Sequence, residues 1–168
     1  MKSAIDMVRE FHEKYGFPLD KPIVVKDRLQ YSYHVIGDIL INLAKSIEKE
    51  AVDLQDQGDP LLYRVHLMIE ELGELIKAIS KNHDVEIFDG LIDLCYVVVG
   101  TAITFGFPLN KGFEEVHKSN MTKAHPSEAG TRMRNKGEKF EPPDLEVLLF
   151  DIRKLCNKGD SDAPIQKH

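Results

Sequence analysis

Two acidic groups stand out by residue type and spacing. Glu70, Glu71 and Glu74 fall within little more than one helical turn, and Glu86, Asp89 and Asp93 follow at i, i+3 and i+7. On a helix Glu71 and Glu74 point the same way, and the second group forms one stripe. Asp93 is the only charge between Leu91 and Ile103. A lone carboxylate in so apolar a helix is costly unless it is paired or binds metal. Two such helices packed antiparallel bring the stripes face to face, and the converging carboxylates then need a counter-charge. Hard divalent cations prefer oxygen ligands, and Mg²⁺ commonly combines a few carboxylates with waters and substrate phosphates. Blander readings stay open: a solvated acidic turn at Glu70–Glu74, and a buried salt bridge or hydrogen bond at Asp93.

A third set could supply donors. His117, Asn120 and Lys123 recur every three residues and share a face. Lys123 is a point charge suited to a phosphate oxygen, and Asn120 can hydrogen-bond phosphate or sugar. His117 reads equally as a helix-surface histidine. His66, four before Glu70, suits a local hydrogen bond. Tyr96 reads as a core or interface residue, and Cys95 as inert packing.

The elements that must position these residues are helical nearly throughout. Ala4, Met7, Val8, Phe11 and Tyr15 recur at helical spacing, and Gly16-Phe17-Pro18 ends that helix. Ile23-Val24-Val25 is a short apolar run of open type. A long helix is expected from Asp27 to Asp56, with Ile36, Leu40, Leu43 and Ile47 on its packed face. Gly58-Asp59-Pro60 reads as a turn with Asp59 as cap and Pro60 at the first helical position. From Pro60 to Lys81, the residues Leu61, Val65, Met68, Leu72, Leu75 and Ile79 predict a buried seam. Lys81-Asn82-His83 predicts a tight connection to a helix from Asp84 to Phe105, apolar enough to be buried all round. Asn110 is expected to cap a further helix reaching Lys123. Beyond His125 the chain is polar and Gly-rich until Pro142-Pro143, which precedes a short amphipathic segment, Leu145 to Leu155. The reading is one all-α domain over residues 1–156, a helical bundle around two antiparallel acidic-motif helices, with a flexible tail over 157–168.

Composition bounds the function. The chain has 168 residues, 42% hydrophobic and 30% charged, with 22 Lys plus Arg against 28 Asp plus Glu, for a formal net charge of −6. That length suits one core, and the absence of a long basic run argues against nucleic acid as the main partner. Two cysteines, Cys95 and Cys156, fit a reducing compartment. The first residues hold no apolar signal core, and Leu91–Ile103 is short and holds Asp93, so no membrane span is expected. A cytoplasmic location is the expectation.

The run Glu70-Glu71-Leu72-Gly73-Glu74-Leu75, followed by Asp89-Gly90-Leu91-Ile92-Asp93-Leu94-Cys95-Tyr96, resembles the all-α nucleoside triphosphate pyrophosphohydrolase superfamily. The closer resemblance is to its MazG-like and phosphoribosyl-ATP pyrophosphohydrolase-like branch. Glu114 to Lys123, Phe11 to Pro18, Lys136-Gly137 and Pro142 to Leu145 also resemble segments of that branch. The chain departs from the pattern at one place. The usual second motif is Glu-x-x-Asp, and three before Asp93 stands Gly90, which cannot bind metal. Asp89 is taken to replace it. Glu86-Ile87-Phe88-Asp89 fits the motif formally, and Glu86 stands open between an outer ligand and a solvated residue. The stretch 35–57 looks longer than in compact members, to build an oligomer contact or to cover substrate.

The resemblance implies a Mg²⁺-dependent enzyme, with Mn²⁺ as an alternative, that cleaves a (d)NTP between the α and β phosphates to (d)NMP and pyrophosphate. It implies Glu71, Glu74, Asp89 and Asp93 as metal ligands, and Glu70 with Glu71 as catalytic residues. Glu70 would orient or deprotonate water. It implies Asn120 and Lys123, helped by Lys118 and Lys136, as the residues that bind substrate. It further implies a homodimer or a dimer of dimers; that no nucleic acid or membrane is a partner is the expectation from composition. Two alternatives are carried: a phosphoribosyl-ATP pyrophosphohydrolase, and a non-catalytic metal-binding helical dimer.

Overall fold

The computed structural model describes residues 2–20, 25–53, 60–124 and 136–150, and among these every regular element is an α-helix. The all-α expectation holds. The helices are α1 (Ala4–Tyr15), α2 (Asp27–Asp53), α3 (Pro60–Lys81), α4 (Asp84–Thr104), α5 (Leu109–Met121) and α6 (residues 145–150). They fall into two units, Met1–Lys21 with Gly106–His168, and Pro22–Phe105. Ile23, Val24, the Gly58-Asp59 turn, Cys156 and the expected tail lie outside the described residues.

In the first unit α1 packs on α5. Ser3 and Asp6 close a reciprocal cap at the start of α1, each side chain accepting from the other's backbone N–H. Gly16 ends the helix at φ +72°, a conformation that favours glycine. The Tyr15 hydroxyl donates to the carbonyls of Asn120 and Lys123, and Lys14 reaches the Met121 carbonyl. α1 therefore ties down the C-terminal end of α5. Asn110 is not the cap expected of it. The cap position is Pro108, without a side-chain hydrogen bond, and Asn110 lies inside the first turn.

In the second unit α3 packs against both α2 and α4. This double contact explains where the expected faces differ. Of the α3 seam Leu75 is buried, while Leu61 and Leu72 are exposed. The other buried positions are His66, Gly73, Ala78 and Ser80, spread round the helix as two neighbours require. The packed line of α2 runs through Gly37, Leu40, Ile41 and Ala44, not through Ile36 and Leu43, which are exposed. A side chain at Gly73 would meet Ile41 and Leu40, so α2 and α3 cross there with their backbones close. At the other end of α3, Arg64 donates to the Thr101 hydroxyl (3.1 Å) and the Val97 carbonyl (2.8 Å), fastening α3 to α4.

α4 is not buried all round. Only Gly90, Val97 and Ala102 are, and Val85, Phe88, Ile92, Tyr96 and Ile103 are each more than half exposed. Asp93 is exposed too, so the desolvation argument made for it does not apply within one chain. Cys95 is exposed and not packed inside. By length and composition α4 as a whole could cross a membrane, which the count from Leu91 to Ile103 missed. Asp93 stands at its middle, however, where a carboxylate costs about 3 kcal/mol in a bilayer.

Candidate active site

α3 and α4 are joined by Asn82 and His83 alone. Asn82 takes a positive φ of 52°, and its side-chain amide pairs with both backbone groups of Val25. His83 Nδ1 accepts from the Glu86 N–H and so caps α4. So short a link returns α4 antiparallel along α3, as the sequence predicts. The contact is close at Gly90, where an added Cβ would lie 3.2 Å from both Cα and Cβ of Leu75. Gly90 is thus the crossing point of the two helices. An acidic side chain there would press on Leu75, which would have to give way by a few tenths of an ångström, and the carboxylates lie on either side of Gly90.

They meet in a cavity of about 330 Å³. Glu74 from α3 and Glu86, Asp89 and Asp93 from α4 line it, with Ile41 and Ala78 as apolar wall. Lys77 and Lys81 line it as well. Lys77 Nζ lies 2.9 Å from Asp38 Oδ1, and Lys81 Nζ lies 2.8 Å from Glu86 Oε2. Glu86, left open by the sequence, is therefore a cavity residue with a lysine partner. Neither lysine was singled out in the sequence, although both follow Glu74 at helical spacing, i+3 and i+7, and that signal was there to be read.

Glu71 and Glu70 lie beside this group on α3. Burial pushes the Glu71 carboxyl above the usual range, and the charges of Asp93, Glu74, Glu70 and Asp89 add to that push. Lys81 has the opposite effect on Glu86: its hydrogen bond holds that carboxyl below the usual range. Lys77 does the same to Asp38. Glu70 is one-third exposed and faces buried His66, whose Nε2 is 3.6 Å from Glu70 Oε2. The other ring nitrogen of His66 contacts the Ala44 carbonyl at 3.0 Å and carries the hydrogen there, because a carbonyl only accepts. His66 therefore hydrogen-bonds to α2 through the Ala44 carbonyl, and its 3.6 Å approach to Glu70 is too long for the local hydrogen bond expected of it.

The donor set suits a hard divalent cation in chemistry: all oxygen, with mutual repulsion that such an ion would relieve. Among the described residues no three His, Cys, Asp or Glu are yet gathered closely enough to hold one ion. Side-chain rotation on two fixed helices would have to draw the ligands together.

The proposed substrate donors belong to the other unit. Asn120 is half-buried, and Lys123 Nζ stands 6.0 Å above the Phe11 ring. Lys118 is exposed, 3.4 Å from Glu115, and Lys136 lies 5.0 Å over the Phe140 ring. His117 Nε2 is 3.2 Å from Glu10 Oε2, which gives this histidine a structural partner on α1. Tyr96, expected in a core or an interface, is 79% exposed and lies in no core of this chain.

The phosphoribosyl-ATP pyrophosphohydrolase family model matches residues 40–120, just under half of the chain. The match takes in all seven acidic residues of α3 and α4, together with Lys118 and Asn120, and leaves Lys123 and Lys136 outside it. No curated protein and no solved structure is significantly similar to the chain.

Proposed function

We propose that the protein is a nucleotide pyrophosphohydrolase, a hydrolase of phosphoric anhydride bonds, a reading supported by the match of the phosphoribosyl-ATP pyrophosphohydrolase family model to residues 40–120. Its substrate is a nucleotide triphosphate cut between the α and β phosphates. The family match favours phosphoribosyl-ATP, the second-ranked reading of the sequence, over a free (d)NTP. The long segments outside the matched stretch favour the (d)NTP, because the biosynthetic domain is compact.

The observation that supports this reading is that Glu74 of α3 shares one cavity with Glu86, Asp89 and Asp93 of α4, with Glu71 close enough to feel the charges of Asp89 and Asp93. Glu71, Glu74, Asp89 and Asp93 would hold Mg²⁺ or Mn²⁺, and Glu86 is a fifth candidate. The bound ion supplies positive charge for the phosphates and for the oxygens that gain charge during the reaction. Glu70 orients a water and takes its proton as the water oxygen bonds to the α phosphorus. The bond from that phosphorus to the bridging oxygen breaks, and pyrophosphate leaves. Asn120, Lys118, Lys123 and Lys136 are proposed to bind the nucleotide by hydrogen bonds and charge. This role rests on the resemblance of the sequence.

The protein is also proposed to act as a homodimer or a dimer of dimers in the cytoplasm. The outward apolar row of α4 supports this, since an exposed row of such size marks an interface.

Turnover of phosphoribosyl-ATP and a panel of NTPs and dNTPs with Mg²⁺ tests the function, scoring pyrophosphate against phosphate. Pyrophosphate with the monophosphate is expected, lost in Asp93→Ala. Absence of turnover on every nucleotide would leave the non-catalytic helical dimer. In that case Mg²⁺ would raise the melting temperature and a non-hydrolysable nucleotide would add nothing further.

A further inference from the structure

We propose that Lys77 and Lys81 form the anion-accepting end of the carboxylate cavity and hold the pyrophosphate portion of the substrate. The inference rests on the pyrophosphohydrolase reading above and assigns a function to two residues that the acidic motif does not include.

Both lysines line the same cavity as Glu74, Glu86, Asp89 and Asp93, and among the described residues they are the only cations in its lining. Their order along α3 gives the cavity a direction. At a rise of 1.5 Å per residue, Lys77 lies about 4.5 Å and Lys81 about 10.5 Å beyond Glu74 along the helix axis. The lysines thus stand on one side of Glu74 only, with Glu86 beside Lys81, and that end of the groove is of mixed charge. A triphosphate in an acidic groove is repelled unless its charge is met, and the leaving pyrophosphate gains charge as the bond breaks. The mixed end is where that charge can be received.

The local geometry leaves the lysines able to do this. An ammonium has three donors, and each contact recorded here, Lys77 to Asp38 and Lys81 to Glu86, occupies one. Both pairs are partly exposed and so weakly held, which lets a phosphate oxygen join or replace the carboxylate. The stem of Lys77 is also fixed in place. It fills the space over Gly37, where any added Cβ would run into the Lys77 side chain. A positioned cation loses less freedom on binding than a free surface lysine.

The test is equilibrium binding of inorganic pyrophosphate to the full chain, by calorimetry with and without Mg²⁺. Wild type is compared with Lys77→Gln, Lys81→Gln, Lys81→Arg and the surface control Lys45→Gln. Loss of a charge-assisted contact predicts about tenfold weaker binding for each glutamine variant. Lys81→Arg should retain most of the affinity, and Lys45→Gln all of it. Circular dichroism and melting confirm the fold, and Lys77→Met, which keeps the stem and removes the charge, replaces Lys77→Gln if the latter unfolds. Glutamine variants within twofold of wild type, or wild type that binds no pyrophosphate, would overturn the proposal. The two readings fail separately. Lysine-dependent pyrophosphate binding without turnover of any nucleotide removes the reaction and keeps the anion site. Turnover lost in Asp93→Ala, with pyrophosphate binding indifferent to both lysines, removes the anion site alone.

Discussion

Glu71 carries the electrostatic tension of the site. Burial and four neighbouring carboxylates all disfavour its charged form. Its folded-state pKa is raised, so the folded chain holds that proton more tightly than the unfolded one. Stability therefore falls as pH rises from the ordinary carboxyl range through the raised value, and the penalty is complete above it. Glu71→Gln removes the charge and keeps the shape. We expect it to raise the melting temperature by about 2 °C at neutral pH without divalent cation, to give no gain near pH 4, and to abolish turnover. A variant that melts lower at neutral pH would show that Glu71 is not strained. Glu86 and Asp38 behave in the opposite way. Their lysine partners stabilise the folded chain above the ordinary carboxyl range, and that contribution is lost as pH falls through their lowered values.

At the scale of elements, the site depends on how closely α3 and α4 approach. Gly90 permits the approach because its neighbour is the backbone of Leu75, which cannot turn aside as a flexible side chain would. Gly90→Val should force the helices apart at the centre of the acidic stripes. We expect a loss of about 1–3 kcal/mol by overpacking, seen in chemical denaturation, and a fall in turnover larger than the fall in stability explains. Wild-type turnover in a destabilised Gly90→Val would mean that the spacing of the stripes does not matter to the chemistry. The residue that looked in the sequence like a missing ligand is, on this view, what allows Asp89 and Asp93 to approach Glu74.

At the scale of the whole molecule, α4 is the element left unfinished by one chain. Val85, Phe88, Ile92, Tyr96 and Ile103 form an apolar row at spacings of three, four, four and seven residues, all exposed. That periodicity is the pattern of a helix–helix seam. A charge placed in the row should prevent association. Ile92→Glu is expected to shift a dimer to monomer in analytical ultracentrifugation and to leave an isolated chain's helicity unchanged. A wild type that sediments as a monomer at every concentration would remove the oligomer from the account.

Local features were legible in the sequence. The stop of α1 at Gly16, the span of α3 from Pro60 to Lys81 and the tight turn at Asn82 follow from short-range sterics and hydrogen bonding, which neighbouring residues determine alone. The acidic stripes follow from helical spacing for the same reason. What each helix face touches was decided only by the tertiary structure, because periodicity identifies an apolar face without identifying what covers it. The row on α4 reads identically whether it lies in a core or waits for a partner. Leu61 and Leu72 looked like a seam, yet α3 packs on two sides and turns them outward. Gly90 and Lys77 show the same limit. A glycine at a crossing and a lysine lying over Gly37 take their meaning from a second helix far along the chain, and no local pattern records that meeting.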